Sequence, residues 1–317
     1  MTKQAPIKVA IIGAGSMARE HIRAFQDVPE VTIAGIHSRT RSRAEALSTE
    51  YGIPSVCDTI EELYERTRAD LVVVTVIETS MREVSRACFE FPWTALLEKP
   101  PGLNLEDAEA IQAAANRHER KVLVGLNRRF LSSTRAALAD LSQYESPRFI
   151  HVQDQQNLEV AASIGHAEVV VQNWMYANSI HMIDYFRAFG RGRVTEVVPV
   201  FTWSPETAQV VAAKLEFESG DAGLYECIWK GPGPWAVSVT TKEKRWEMRP
   251  LEQASFQVAG ERRLNPVELH PWDQEFKPGF RLQAEMAVAA ARGEASDSPT
   301  LTEAMETMRF INSIYGQ

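Results

Sequence analysis

A glycine-rich turn between an apolar run and a helical segment constrains the fold of this chain most strongly. Residues 7–12 read IKVAII, which is typical of a strand buried on both faces, and Ser16–Gln26 has the pattern of a helix. Between them stands Gly13-Ala14-Gly15-Ser16-Met17-Ala18, a G-x-G-x-x-A sequence. In dinucleotide-binding units the first glycine permits a tight turn, the second lets backbone approach a pyrophosphate, and the small last residue lets helix and strand pack closely. We therefore predict cofactor contacts from Gly13, Gly15, Ser16 and Met17; the alternative is a plain tight turn.

Strand and helix signals alternate along the first 125 residues. Repeated βα units with right-handed crossovers form a parallel sheet covered by helices on both faces. We predict an α/β fold here, a Rossmann domain with a doubly wound parallel sheet over residues 1–125. Its further predicted strands are Val31–His37, Leu71–Val76, Thr94–Leu97 and Val122–Val124, and its further predicted helices are Ser42–Tyr51, Ile60–Arg68, Thr79–Glu90 and Leu105–Glu119.

The pattern changes after Gly125, where strand signals cluster and helices flank them. This arrangement predicts a second domain over residues 126–317, an α+β domain with a largely antiparallel open sheet. Its predicted strands are Phe149–Gln156, Glu196–Phe201, Ala212–Glu218, Gly223–Trp229 and Ala236–Thr241. Its predicted helices are Ser132–Leu141, Ser179–Phe189, Phe280–Arg292 and Thr302–Tyr315.

The end of the second predicted strand bears on the choice between NAD and NADP. In NAD-binding domains an acidic residue there binds the ribose 2′-hydroxyl. This chain instead has His37-Ser38-Arg39-Thr40, followed by Arg41 and Arg43. Arg39 could pair with a 2′-phosphate, and Ser38 and Thr40 could donate hydrogen bonds. We predict NADP as the preferred cofactor, with NAD as the alternative. The opposing interpretation is that the arginines only form a solvated face of a helix.

Charge and composition argue against several classes of function. Asp and Glu number 42 against 34 Lys and Arg, and the net charge of −8 argues against nucleic acids and anionic membranes as partners. The three scattered cysteines favour a reducing cytoplasm and argue against a disulfide framework or a cysteine zinc site. No apolar run approaches the roughly 20 residues of a membrane-spanning helix. We expect a cytoplasmic protein without a metal site.

Several motifs occur in an order that resembles one known family. They are the glycine turn, Glu98-Lys99-Pro100, Gly125-Leu126-Asn127-Arg128-Arg129-Phe130, Ile180-His181-Met182-Ile183-Asp184 and Gly279-Phe280-Arg281-Leu282-Gln283. Together they look like the glucose–fructose oxidoreductase/inositol dehydrogenase/MocA (Gfo/Idh/MocA) family. The resemblance implies hydride transfer between nicotinamide and a carbinol carbon of a sugar-like small molecule. It also implies a C-terminal sheet that forms one wall of the substrate pocket and the interface of a homodimer or homotetramer.

Lys99 and His181 are the predicted catalytic residues. Lys99 follows the carboxyl end of a strand, the side on which such sheets bind ligands. The resemblance implies that this lysine lies beside the nicotinamide, where an ammonium can stabilise alkoxide charge. It also implies that His181 hydrogen-bonds the reacting hydroxyl, and helical spacing puts Asp184 on the same face. The alternative for Lys99 is an ordinary surface lysine, and the alternative for His181 is a packed histidine at the start of a helix. An H-x-x-D metal site is a further alternative, against which no other ligand cluster is visible nearby.

Further residues are predicted to contact ligands less directly. Besides Asp184, we expect substrate contacts from Trp174, Asn178 and Arg129, although an interdomain salt bridge is an equal alternative for Arg129. Thr75 ends a predicted strand on the nicotinamide side of the cofactor, and Glu98 is placed to bind its ribose.

The chain departs from the D-x-G-x-H-x-x-D pattern of many family members. Ala177 stands where they have aspartate, and Ser179 replaces the glycine. Tyr176, Asn178 or a water are the candidate substitutes for the missing carboxylate. We therefore predict an NADP(H)-dependent oxidoreductase, and keep a catalytically weak NADP-binding sensor as the alternative. A lyase or hydrolase that oxidises its substrate only transiently is a third possibility, and the sequence does not specify the substrate.

Overall fold

The chain divides into two compact units in the computed structural model, which describes residues 6–207 and 209–316. The first unit ends at Asn127 and also takes in Gln274–Ala304; the second comprises Arg128–Asp273 and the residues from Met305 onward. The predicted division into residues 1–125 and 126–317 assigns Gln274–Ala304 to the second domain, whereas the chain returns to the first unit there. The reason is the apolar face of helix Phe280–Arg292, which belongs to the same buried cluster as Ile11 and Phe25.

Six strands, all within the described residues, form the parallel sheet of the first unit in the order β3-β2-β1-β4-β5-β6. The order reverses at β1, so two crossovers leave in opposite directions and open a crevice at the carboxyl ends of β1 and β4. The strands are β1 Ile7–Ile12, β2 Val31–His37, β3 Val56–Cys57, β4 Leu71–Val74, β5 Thr94–Leu97 and β6 Val122–Val124. The helices between them are α1 Ser16–Gln26, α2 Arg41–Tyr51, α3 Ile60–Thr67, α4 Glu78–Phe89 and α5 Leu105–Arg117.

Cap residues determine where several of these helices begin or end. Thr59 accepts a hydrogen bond from the Glu62 amide at the start of α3, and Asn104 accepts one from the Asp107 amide at the start of α5. Gly52 ends α2 in the left-handed conformation. The two-residue strand β3 was not predicted, because it is too short to show a periodic pattern.

The sheet of the second unit has the order β14-β13-β12-β11-β7-β10-β9-β8 within the described residues. Its pairs are antiparallel except for β7 with β10, so the predicted largely antiparallel sheet is confirmed. The strands are β7 Phe149–Gln155, β8 Val194–Phe201, β9 Val210–Phe217, β10 Ala222–Ile228, β11 Ala236–Thr240, β12 Lys244–Met248, β13 Ser255–Val258 and β14 Asn265–Pro266. The helices from here to the end are α6 Ser132–Leu141, α7 Leu158–Ser163, α8 Glu168–Gln172, α9 Ile180–Ile183, α10 Tyr185–Phe189, α11 Trp272–Glu275, α12 Phe280–Arg292 and α13 Leu301–Tyr315.

One predicted helix of this unit is interrupted. Instead of a continuous helix over Ser179–Phe189, a π-helical turn at Met175–Ser179 leads into α9, and Asp184 separates α9 from α10. Single π-helical turns often occur at functional sites, because they displace side chains from regular α-helical positions. None of the helices described is both long and apolar enough to cross a membrane.

Candidate active site

A cavity of about 360 Å³ lies at the carboxyl ends of β1, β2 and β4. Open parallel sheets bind their ligands at this edge, at the point where the strand order reverses. The predicted cofactor residues Gly13, Gly15, Ser38, Arg39, Thr40 and Thr75 all line it. The rest of its wall comes from Ile12, Ala14, His37, Arg43, Ile60, Val76, Ile77, Ser80, Glu83, Val84 and Ala87.

Gly13 forms the tight turn after β1. Its φ of 107° is strained for residues with a side chain, and its N–H donates to the carbonyl of His37 at 2.8 Å. A Cβ at this position would lie 2.5 Å from both the carbonyl oxygen and the Oγ1 of Thr75. Thr75 is itself fixed, because its N–H and its hydroxyl both donate to the Ile12 carbonyl, at 2.7 and 3.0 Å. Only glycine fits this position.

Gly15 serves the cavity rather than the turn. It is the N-cap of α1, and a Cβ there would meet nothing within 4 Å, so its absence keeps open space above the start of the helix. No side chain caps α1, and its first turn has no acidic residue. Its first N–H groups and the positive end of its dipole are therefore suited to a pyrophosphate. Of the other predicted contacts, Ser16 is exposed and Met17 packs against the core; neither lines the cavity.

The arginines after β2 differ in their surroundings. Arg41 binds Glu45 at 2.8 Å and also binds Asp58, and it does not line the cavity. Arg39 and Arg43 line the cavity, and neither has an ion pair with a described residue. The interpretation of these arginines as a solvated helix face therefore fits Arg41 but leaves two guanidiniums beside the cavity. The lining carboxylate, Glu83, comes from α4 and not from the end of β2.

A buried ion pair lies directly before Lys99. Glu98 Oε1 is 2.7 Å from Nε2 of His21 on α1, and both side chains are almost fully buried. Glu98 Oε2 accepts a hydrogen bond from the Lys99 amide at 3.2 Å. Burial disfavours the ionised carboxyl, but the hydrogen bond and charge of His21, with the charge of Lys99, hold the pKa of Glu98 below its usual value. Both oxygens of Glu98 are engaged within the protein, which argues against its predicted bond to a ribose.

Lys99 lies at the same sheet edge as the cavity. It follows β5 after one residue, is half-buried, and precedes a cis peptide bond to Pro100. β5 is the neighbour of β4, which is the neighbour of β1. At a strand spacing of about 4.8 Å, the ends of β1 and β5 are roughly 10 Å apart. The lysine does not itself line the cavity, so it lies farther along the edge than the glycine turn.

In the second unit His181 lies on α9 next to the indole ring of Trp235, which the guanidinium of Arg128 also contacts. It is half-buried, and its ring centroid is 6.1 Å from that of Trp235. The guanidinium of Arg128 lies 5.1 Å from the same indole ring and binds Glu252 at 2.9 Å. Trp235 also donates its indole N–H to the Gln155 carbonyl at 3.0 Å. No sequence pattern singles out Trp235 as a site residue, because the Gly/Pro-rich segment 230–234 before it gives no periodic signal.

Asp184 and Arg129, both predicted to bind substrate, bind each other. Arg129 Nε and Nη2 donate to the two carboxylate oxygens at 2.7 and 2.8 Å, and Thr307 donates to Oδ1 at 2.8 Å. Asp184 is only 2% exposed. We correct the assignment of Asp184, because three hydrogen bonds and its burial favour a structural role. The pair also lies within the second unit, so it is not the interdomain salt bridge considered for Arg129.

Trp174 and Asn178 converge on a residue that the sequence analysis missed. Both donate to Oε1 of Gln156 at 2.8 Å. Gln156 in turn donates to the buried Asp154 at 2.8 Å, and Asp154 also accepts from Tyr225. Burial raises the pKa of Asp154 despite these hydrogen bonds. Four consecutive polar residues, 153–156, in a predicted strand were the available signal of this network.

Tyr176 and Asn178, two candidate substitutes for the missing aspartate, differ in their surroundings. Tyr176 is buried and its hydroxyl donates to Asn312 at 3.3 Å; burial raises its pKa to about 12. It is therefore a poor proton carrier. Asn178 remains half-buried, with its amide nitrogen held by Gln156. No group of three or more metal-ligating side chains occurs in the part of the chain that is described.

Comparison with known proteins identifies the family of the N-terminal part of the chain. Residues 7–126 match the Gfo/Idh/MocA model, described as "Oxidoreductase family, NAD-binding Rossmann fold". The N-terminal part of this chain, residues 7–126, therefore has the Rossmann domain of the Gfo/Idh/MocA oxidoreductases. The predicted family and the predicted class of enzyme, an NAD(P)-dependent oxidoreductase, are thereby confirmed.

Curated relatives and solved structures resemble this chain over different shares of its length. The 4-carboxy-2-hydroxymuconate-6-semialdehyde dehydrogenase of a Sphingobium species is 21% identical over 90% of this chain and 94% of its own length. Other curated relatives align over only 34% to 38% of their lengths. A dehydrogenase structure from Chromobacterium violaceum has a TM-score of 0.84 at 20% identity, covering 98% of this chain and 95% of its own. Levoglucosan dehydrogenase with NADH has a TM-score of 0.82 at 15% identity, covering 98% and 96%. At these identities, the structures establish the fold alone.

Proposed function

We propose that this protein is an NADP(H)-dependent oxidoreductase that transfers a hydride between nicotinamide and a hydroxyl or keto carbon of a sugar, polyol or sugar derivative. The observation that carries the proposal is the cavity at the carboxyl edge of β1, β2 and β4. It has a glycine cradle and two arginines, Arg39 and Arg43, that form no ion pair with a described residue. Three relatives support it by their names, which are 4-carboxy-2-hydroxymuconate-6-semialdehyde dehydrogenase, glucose-6-phosphate 3-dehydrogenase and 1,5-anhydro-D-fructose reductase.

The preference for NADP rests on Arg39 and Arg43. A 2′-phosphate carries a charge that a ribose hydroxyl lacks, and a guanidinium can bind it through two parallel hydrogen bonds. The end of β2 offers no carboxylate to accept a bond from a 2′-hydroxyl, which is how NAD is usually selected. The side chains of Ser38 and Thr40 add polar groups at the same edge.

Bound NADP supplies the hydride acceptor or donor, and the protein handles the proton. We propose that the ammonium of Lys99 donates a proton to the substrate oxygen during reduction, and that its neutral amine accepts one from the substrate hydroxyl during oxidation. The ammonium also stabilises negative charge that develops on this oxygen. The Glu98–His21 pair holds the backbone of Lys99 itself, since Oε2 of Glu98 accepts a hydrogen bond from the Lys99 amide. His181, through its imidazole, assists by hydrogen-bonding the reacting hydroxyl.

The second unit supplies substrate contacts and an interface. We propose that Asn178 and the face of Trp174, both oriented by Gln156, contact the substrate. The edge strand β8 exposes Val198, Val200 and Phe201, by 38% to 58%. These residues support a homodimer or homotetramer through the C-terminal sheet. The three cysteines are reduced and buried, which supports a cytoplasmic location.

Hydride transfer tests the proposal. NADPH oxidation is followed at 340 nm with a panel of keto-sugars, for the wild type, for Lys99→Met and for the control Lys242→Met, whose side chain is 79% exposed. We expect turnover in the wild type and the control, and a loss of about 10²-fold or more for Lys99→Met. NADPH binding without turnover of any substrate would instead support a sensor. Product formation without net NADPH change would support transient oxidation in a lyase or hydrolase.

A further inference from the structure

A second cavity, of about 550 Å³, lies in the second unit beside Trp235. It is lined by Pro232, Gly233, Pro234 and Trp235 from one loop and by Arg249 and Pro250 from another. Arg249 is exposed and has no ion pair with a described residue. Among the described residues, the lining therefore contains one cation and no carboxylate. This is notable in a chain whose net charge is −8.

Trp235, one of the residues that line this cavity, is held in place and lies beside the predicted catalytic residue His181. The indole N–H of Trp235 donates to the Gln155 carbonyl on β7 at 3.0 Å, which anchors the ring to the sheet. The same ring lies 6.1 Å from the ring of His181, centroid to centroid. A ligand that packs on Trp235 is therefore adjacent to the residue that the proposed mechanism uses to hold the reacting hydroxyl. Flat aromatic faces of this kind pack against the carbon skeleton of a sugar-like molecule.

A second guanidinium lies against the same indole ring. Arg128 lies 5.1 Å from the Trp235 ring, on which guanidinium groups stack favourably. Its charge is balanced by Glu252 at 2.9 Å, a carboxylate whose side chain is 41% exposed. Arg249 has no such partner among the described residues, and the cavity that it lines has no carboxylate from this part of the chain. An unpaired guanidinium attracts an anionic ligand over a neutral one of the same size, and salt screens this attraction at an exposed site.

We propose that the substrate of this oxidoreductase carries an anionic group, a carboxylate or a phosphate, and that Arg249 binds it beside Trp235. This inference rests on the proposed function, since it places the substrate next to His181. A guanidinium suits either anion, because its parallel N–H groups match two oxygens of a carboxylate or phosphate. The neutral part of the substrate then packs on the Trp235 ring.

Pairs of ligands that differ in charge but little in size test this proposal. The probes are D-glucuronate and D-glucose 6-phosphate, each against D-glucose, and D-gluconate against D-glucitol. Their dissociation constants are measured by calorimetry on the NADP-loaded full-length protein. The variants are Arg249→Gln, which removes the charge, and Arg249→Lys, which keeps it but loses the paired geometry. Arg262→Gln is the control, because Arg262 is an exposed arginine of the same unit that lines none of the described cavities.

We expect at least one anionic probe to bind about tenfold more tightly than its neutral partner, a difference of about 1.4 kcal/mol. Arg249→Gln should reduce this preference to within about twofold, Arg249→Lys should keep part of it, and Arg262→Gln should leave it unchanged, with salt weakening it throughout. Preference for the sugar acids or for the phosphate identifies which anion is bound. Equal binding of charged and neutral probes, no binding of any probe, or an undiminished preference in Arg249→Gln would overturn the inference. Because binding is measured, loss of turnover alone would count against the proposed function and not against this inference.

Discussion

Removing Arg39 should weaken the binding of NADP much more than the binding of NAD. Charge-assisted hydrogen bonds contribute about 1.5–3 kcal/mol each, and the exposure of Arg39 places its contribution near the lower end. Since about 1.4 kcal/mol corresponds to tenfold in affinity, Arg39→Ala should raise the Kd of NADP roughly tenfold. The double variant with Arg43→Ala should raise it by roughly 50-fold to 100-fold, because both guanidiniums line the cavity. The Kd of NAD should change by less than about twofold, since NAD has no 2′-phosphate.

The assay is calorimetric titration of each variant with NADP and with NAD, at low and high salt. Arg41→Ala is the matched control, because Arg41 lies in the same segment but binds Glu45 and Asp58 and does not line the cavity. It should leave both dissociation constants unchanged. The NADP penalty of Arg39→Ala should shrink as salt rises, because salt screens exposed charges. Equal losses for NADP and NAD, or an equal loss in Arg41→Ala, would refute the assignment of these arginines.

Three further predictions concern stability. Gly13→Ala should lower the unfolding free energy by about 1–3 kcal/mol because of its positive φ and crowded Cβ, whereas Gly15→Ala should leave the melting temperature unchanged and weaken NADP binding. His21→Leu should cost about 3–5 kcal/mol at pH 8, since it removes the side-chain partner of the buried Glu98 carboxylate and leaves it only the Lys99 amide. The pKa of Glu98 is depressed in the folded chain, so the stability that it contributes is present above its unfolded pKa of about 4.3 and is lost as the pH falls through the folded value. The cost of His21→Leu in denaturant titrations should therefore shrink as the pH falls below about 4.3, and a constant cost would contradict this. Asp184→Asn should lower the unfolding free energy by about 3 kcal/mol, through its buried bidentate pair, with a larger effect on stability than on substrate KM.

The sequence predicted the first unit closely because its signals are local. Strands buried on both faces read as continuous apolar runs, so β1, β2 and β5 have the predicted bounds. The glycine turn was recognisable because its residue types are required by one backbone conformation. The strand β3 was missed because its two residues carry no pattern.

The second unit was less predictable because long-range contacts decide it. Strands β12 to β14 lie near the sheet edge, where alternation is weak, and they were not predicted. The pairing of Asp184 with Arg129 joins residues 55 positions apart, which no local pattern reveals. The family motif favoured a substrate contact for Asp184, whereas the structure shows both of its oxygens occupied. In the same way, helix Phe280–Arg292 reads as a helix from its sequence, but only tertiary packing shows that it belongs to the first unit.

The pairing of His21 with Glu98 could not be predicted either, because the two residues are far apart in the sequence of the first unit. A buried histidine on α1 looks like any residue on the apolar face of a helix, and its partner lies 77 residues later. The glutamate was noticed only as part of the Glu98-Lys99-Pro100 motif and was assigned to the ribose. Its true partners became visible only when the fold brought α1 and the end of β5 together.

Transfer of deuterium from NADPH labelled at the nicotinamide C4 tests the central claim most directly. The wild-type protein, supplied with labelled NADPH and an accepted carbonyl substrate, should yield product with deuterium on the new carbinol carbon, as read by mass spectrometry. Lys99→Met should bind the cofactor normally and yield at least about 10²-fold less labelled product. Tight NADPH binding with no label in any product, or undiminished labelling in Lys99→Met, would contradict the account.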